Sequence, residues 1–174
     1  MSLCFLFSAP VARPCHGLLV TQLLRVVVDD LSGPEVAALL ADHLSSMHEQ
    51  TPPGSVHALD LARLRAPEVT FWSAWVGGDL AGCGALKELD PARGEVKSMR
   101  TAPAYLRRGV AAAVLAEIVA TARSRGYAEL LLETGHGPAF DAAHALYTRS
   151  GFEPCGPFAD YSDDPFSRFF SLAL

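Results

Sequence analysis

Apolar residues along this chain alternate between an every-second-residue rhythm and a three-to-four spacing, which predicts interleaved strands and helices. Residues 18–28, rich in Val and Leu, read as a first strand. Asp29-Asp30-Leu31-Ser32-Gly33-Pro34 supplies capping side chains and a proline suited to the first helical position. Val36, Leu39, Leu40, His43, Leu44 and Met47 then fall on one helical face, and Thr51-Pro52-Pro53-Gly54 ends the helix. Leu59, Leu61 and Leu64 suit a short helix stopping at Pro67.

A strand over 69–76, a Gly77-Gly78-Asp79 turn and a returning strand over 80–89 form a hairpin. After a turn at 90–94, a third strand over 95–101 alternates. It places Glu95, Lys97, Met99 and Thr101 on one face and Val96, Ser98 and Arg100 on the other. Val110, Val114, Leu115, Ile118, Val119 and Ala122 trace the apolar stripe of a helix from about Gly109, with Gly126 as its stop. Leu130-Leu131-Leu132 is a buried strand, and a right-handed crossover makes it parallel to 95–101. A helix over 139–149 turns Phe140, Ala143, Leu146 and Tyr147 inward. Strands at 152–155 and 168–174 close the chain, joined by the acidic, aromatic loop 158–164.

Composition narrows the function classes. The chain has 174 residues, half of them apolar, which suits one globular domain with a true core. Residues 1–17, interrupted by Pro10 and Pro14, read as a loose extension ahead of a single domain over 18–174. A net charge of −5 argues against general affinity for nucleic acid or anionic membrane. No apolar run approaches the roughly 20 residues that span a bilayer. The four cysteines, at 4, 15, 83 and 155, make no zinc or redox motif. They suggest free thiols in a reducing, cytoplasmic setting, with Cys83 a small core residue.

The chemistry concentrates where a strand runs through Thr101-Ala102-Pro103-Ala104-Tyr105-Leu106-Arg107-Arg108-Gly109 into an alanine-rich helix. The first N–H groups of a helix lack internal partners and carry partial positive charge, so this corner can receive an anion. Gly109 removes a Cβ from the path of a phosphate, and Arg100, Arg107 and Arg108 read as a local basic cluster. A mononucleotide or dinucleotide domain is disfavoured, because neither Gly-x-x-x-x-Gly-Lys-Ser/Thr nor Gly-x-Gly-x-x-Gly occurs.

Three segments carry a family resemblance. Lys97-Ser98-Met99-Arg100-Thr101-Ala102-Pro103-Ala104-Tyr105 resembles the fourth strand of GNAT-type N-acetyltransferases and its exit. Arg107-Arg108-Gly109-Val110-Ala111 resembles most of the family's Gln/Arg-x-x-Gly-x-Gly/Ala acyl-CoA loop. Ala145-Leu146-Tyr147-Thr148-Arg149-Ser150-Gly151-Phe152 is similar to its Leu-Tyr-x-x-x-Gly-Phe segment. Together they cover about 95–155. Ser55-Val56-His57-Ala58-Leu59-Asp60 and Asp160-Tyr161…Asp164-Pro165 look like a bacterial group of uncharacterised acetyltransferases within the family. Two positions depart from the pattern: Leu106 replaces the first Gln or Arg of the loop, and Phe140 replaces an Asn seven residues before the tyrosine.

The resemblance implies an α/β (α+β) fold with a mixed, mostly antiparallel central sheet of about six to seven strands and helices on both faces. It implies that acetyl-CoA is the co-substrate, with no metal, and that the enzyme transfers acetyl to a primary amine by direct attack in a ternary complex. The pantetheine arm would pair with the backbone of Met99, Arg100 and Thr101, and an N–H near Met99 would meet the thioester oxygen. The diphosphate would rest on Arg107, Arg108, Gly109, Val110, Ala111 and Ala112. Tyr147 is the expected acid for the departing thiolate, and Glu95 and Glu133 are the candidate bases, with His136 and His57 weaker. Trp72, Trp75, Phe158 and Tyr161 are offered as walls of an acceptor pocket, although two tryptophans on a hairpin are more often core. The acidic loop favours a cationic amine, and small metabolite, amino acid and protein amine all stay open, with a small molecule preferred. A homodimer is left open. The alternative is a non-catalytic acyl-CoA-binding sensor on the same fold.

Overall fold

The computed structural model describes residues 23–50, 52 and 59–174. Expectations for residues 1–22, 51 and 53–58, His57 included, lie outside the described residues. After strand β1 (Leu24–Val28), helix α1 (Pro34–Gln50) begins as the sequence predicts. Asp29 and Asp30 carboxylates accept the Leu31 and Ser32 N–H groups at 2.8 and 2.9 Å, fixing the turn ahead of Pro34. The short helix expected before Pro67 is α2 (Leu61–Leu64), capped by Asp60, which accepts the Arg63 N–H.

Strands β2 (Val69–Val76), β3 (Asp79–Asp90) and β4 (Arg93–Thr101) form the antiparallel meander. Helix α3 (Val110–Ser124) leads to β5 (Glu129–Gly135), and α4 (Asp141–Arg149) to β6 (Glu153–Cys155) and β7 (Ser167–Ala173). Among the described residues the seven strands make one sheet in the order β1-β2-β3-β4-β5-β7-β6. Every neighbour is antiparallel except β4 and β5, which the crossover through α3 makes parallel.

The two sheet faces carry different helices. One core, with Trp72, Leu86, Val96, Leu130, Leu132 and Phe152, lies under α3 and α4. The other, with Phe71, Cys83 and Ala85, lies under α1 and α2. The predicted stripe of α3 is buried at Val110, Val114, Leu115, Ile118 and Ala122. Gly84 on β3 lets that stripe press close: a Cβ there would stand 2.5 Å from Met99 Sδ and 2.7 Å from Val114 Cγ1. This close approach fixes where α3 begins relative to the end of β4.

Candidate active site

β4 and β5 pair only from Arg93↔Glu129 to Val96↔Leu132. Beyond that point β4 stays on β3 as far as Thr101↔Gly82, and β5 stays on β7 as far as Gly135↔Ser167. Two parallel neighbours therefore part, and residues 97–101 of β4 are left without a partner strand on that side. A bulge accompanies the parting: Cys83 faces Arg100 while Ala85 faces Lys97, so Ser98 and Met99 both oppose Gly84. Ser98 takes the left-handed conformation, φ 53°, which is uncommon for a residue with a side chain.

The bulge corrects the simple alternation expected from the sequence. Glu95 and Lys97 do share a face, but Met99 and Thr101 cross to the α3 side, where Met99 packs in the core. Arg100 instead turns to the α1 side, where its Nη2 donates to Ser46 Oγ at 3.1 Å. The expected cluster of Arg100 with Arg107 and Arg108 is thus not formed by its side chain. One extra residue in a strand reverses every later side chain.

At the end of β4 the chain makes a short 3-10 turn (Pro103–Tyr105) and enters α3. Arg107 and Gly109 both have positive φ, 61° and 84°, and the first helical bond runs from the Ala113 N–H to Gly109 O at 3.0 Å. The N–H groups of Val110, Ala111 and Ala112 therefore have no partner within the helix. No atom lies within 4 Å of where a Gly109 Cβ would stand, so the corner is open as well as left-handed. Leu106, Arg107, Arg108 and Gly109 are exposed, and Arg108 lies over the Tyr105 ring at 5.4 Å. The residues present fit a diphosphate held mainly by main-chain donors, a role in which Leu106 removes little.

On the α1 side of the parting sits a buried charged network. Glu95 is 3% exposed and Lys97 8%. Lys97 Nζ lies 3.1 Å from Glu95 Oε1 and donates to Tyr161 Oη at 2.6 Å, while Tyr161 Oη donates to the same Glu95 oxygen at 2.6 Å. Burial first, then the charge of Glu95, pushes the Tyr161 phenol far above its ordinary value. Across the gap, Glu133 Oε1 accepts from Ser167 Oγ at 2.7 Å.

Tyr147 is buried between Phe152 and Phe170, at ring distances of 5.8 and 6.3 Å. Burial, then the negative charge of Glu133, holds its phenol protonated well above the usual range. Glu133 thus acts electrostatically on both Tyr147 and Tyr161. Glu95 and Glu133 stand at the parting of β4 and β5, and Tyr147 lies in the core within electrostatic reach of Glu133, but His136 is exposed.

Trp72 is core under α3, and Trp75 packs under α1 with its Nε1 donating to Ser73 Oγ, so neither forms the expected aromatic pocket. Phe158 is core beside Phe169, and of the four aromatics Tyr161 reaches the network. Lys97 was missed by sequence reasoning, although its shared face with Glu95 was the available signal. Cys83 is buried in β3, where burial raises its thiol to about 12, as suits a packing residue.

A parted parallel pair with an open helix start at its mouth fits an acyltransferase that uses acyl-CoA. The chain belongs to the acetyltransferase (GNAT) family, whose model matches residues 36–152. It is 53% identical to the uncharacterized N-acetyltransferase YsnE of Bacillus subtilis (strain 168), over 87% of this chain and 100% of that one. It is 56% identical to the uncharacterized N-acetyltransferase YedL of Escherichia coli (strain K12), over 86% and 94%. Among solved structures, an acyl-CoA N-acyltransferase from Klebsiella pneumoniae matches with a TM-score of 0.74 at 30% identity, covering 88% of this chain and 99% of that one. A GNAT acetyltransferase from Elizabethkingia anophelis with acetyl-CoA bound shares the fold, with a TM-score of 0.64 at 16% identity over 87% and 98% of the two chains. Family and relatives make this chain an acyltransferase and lend the non-catalytic alternative no support.

Proposed function

We propose that the protein transfers the acetyl group of acetyl-CoA to a primary amine by direct attack within a ternary complex. The observation that carries this reading is the one-sided loss of pairing after Val96 and Leu132, opening toward the unpartnered N–H groups at the start of α3. The backbone of Met99, Arg100 and Thr101 is an open strand edge to which the pantetheine amides can pair. Main-chain donors from Arg107 to Ala112 take the diphosphate. An N–H beside the Ser98 bulge, near Met99, stabilises the thioester oxygen as negative charge develops on it.

An alkylamine, with a reference pKa of about 10.4, arrives protonated and must lose a proton before attack. Glu133, one residue beyond the last β4–β5 pair, is the base we favour. Glu95 has one oxygen already held by Lys97 and Tyr161, and its part is to keep Tyr161 and Lys97 in place beside the acceptor. Tyr147 donates its proton to the CoA thiolate, a task for which a phenol kept protonated by burial is suited. The test is release of free CoA thiol from acetyl-CoA across a panel of small amines, with product masses recorded. Amine-dependent thiol release and stabilisation by acetyl-CoA are expected. No turnover of any amine, with no acetyl-CoA-dependent thermal shift, refutes the reading.

A further inference from the structure

Among the described residues, the α1 side of β4 holds a fixed positive charge, Arg100, that no carboxylate pairs. Arg100 Nη2 has a neutral partner, Ser46 Oγ on α1, while Arg100 Nε is buried with no hydrogen bond. Neither the Asp90–Arg93 pair nor the Glu95–Lys97 pair includes Arg100. One turn earlier on α1, His43 Nδ1 is also buried and unpartnered, as is Ser98 Oγ at the bulge.

Burial, then the charge of Arg100, pushes His43 down to about 4, so the imidazole is neutral at physiological pH and does not add to the charge. A guanidinium cannot escape burial by losing its proton, and leaving its Nε buried without a partner is costly. A planar carboxylate is the acceptor that best matches its fork of donors.

Arg100 lies on the same face of β4 as Glu95 and Lys97, three positions further along from Lys97. On the reading above, this face receives the acceptor. We infer that the acceptor is an amine that also carries a carboxylate, and that Arg100 is the specificity-determining residue that binds this carboxylate. His43 Nδ1 is a second polar atom at the same place. The acceptor's amine then lies toward Glu133 and the Glu95–Lys97–Tyr161 network, and its anionic end lies under α1.

The test compares matched acceptors with acetyl-CoA: the L-α-amino acids, 3-aminopropanoate and 4-aminobutanoate, each against its carboxamide and its decarboxylated amine. Free-thiol release gives kcat/KM, and thermal shift in saturating CoA reads binding without turnover. The best carboxylate should exceed its carboxamide by roughly 10- to 100-fold, the scale of a hydrogen-bonded charge. Arg100→Gln should bring the two within a few-fold by raising the carboxylate's KM, and Arg100→Lys should fall between.

Carboxamides or plain amines used as well as carboxylates, or discrimination surviving Arg100→Gln, overturns the inference and leaves the acetyltransferase reading standing. Carboxylates that neither react nor stabilise the protein also overturn it. A carboxylate that stabilises only the Arg100 protein supports it even if turnover is absent, an outcome that counts against the acyltransfer reading instead. A retained CoA-induced shift shows that each variant is folded.

Discussion

Lys97→Met removes one member of a buried ion pair and leaves the other. Glu95 is 3% exposed, and its Oε1 has two donors, Lys97 Nζ at 3.1 Å and Tyr161 Oη at 2.6 Å. Breaking such a pair from one side costs about 3–5 kcal/mol, because an uncompensated charge stays buried. Tyr161 still donates to the carboxylate, so the lower end, about 3 kcal/mol, is expected. Met matches the length of the Lys stem, which keeps the loss of packing small. For a chain of this size that corresponds to a fall in Tm of roughly 6–12 °C. Urea titration should show a lower midpoint with unchanged slope, since the exposed area on unfolding is the same.

The double variant Glu95→Leu, Lys97→Met removes both charges and should be more stable than Lys97→Met alone. A single variant as stable as the parent, or a double variant that loses the sum of both single effects, would show that these side chains are solvated rather than joined. The buried network would then have no place in the account.

Tyr147→Phe keeps the packing against Phe152 and Phe170 but removes the donor. Turnover should fall by about 10²–10⁴-fold with acetyl-CoA affinity and Tm little changed, and unchanged turnover in steady-state assays removes it from the mechanism. Gly109→Ala forces a Cβ into φ 84°. Calorimetry should show a loss of about 1 kcal/mol. Acetyl-CoA binding, read by titration, should weaken by roughly tenfold or more, and unaltered binding would mean that the phosphates do not lie on this corner. His43 is held near 4 against a reference of 6.5, so the folded state binds fewer protons than the unfolded state in that window. Stability should be full above about 6.5 and decline by about 3 kcal/mol as pH falls to 4. His43→Gln should flatten that part of the pH–stability curve, and an unchanged slope would place the titration elsewhere.

Most of the fold was legible because local signals agreed with one another. The 3.6-residue stripe of α3, the Asp29–Pro34 start of α1 and the Gly-Gly-Asp hairpin each predicted an element that the structure contains. The parallel relation of β4 and β5 followed from the handedness of the crossover. The anion-receptive corner was legible too, since Gly109 and the following helix are features of adjacent residues.

The bulge at Ser98 was not legible, because Ser98 carries none of the glycine or proline signals that mark an interrupted strand. It sends Arg100 to α1, out of the basic cluster that strict alternation implied. The hydrogen bond between Tyr161 and Glu95 spans 66 residues of sequence, so no periodicity or motif could report it. Trp72 and Trp75 suited a core more often than a pocket, and the hairpin's position between two helical layers makes them core.

A crystal structure with acetyl-CoA tests the central claim most directly. The diphosphate should lie within hydrogen-bonding distance of N–H groups between Arg107 and Ala112, with the thioester in the gap beyond Val96 and Leu132 and Tyr147 Oη beside its sulfur. A coenzyme seated elsewhere, with that gap closed by protein, would contradict it.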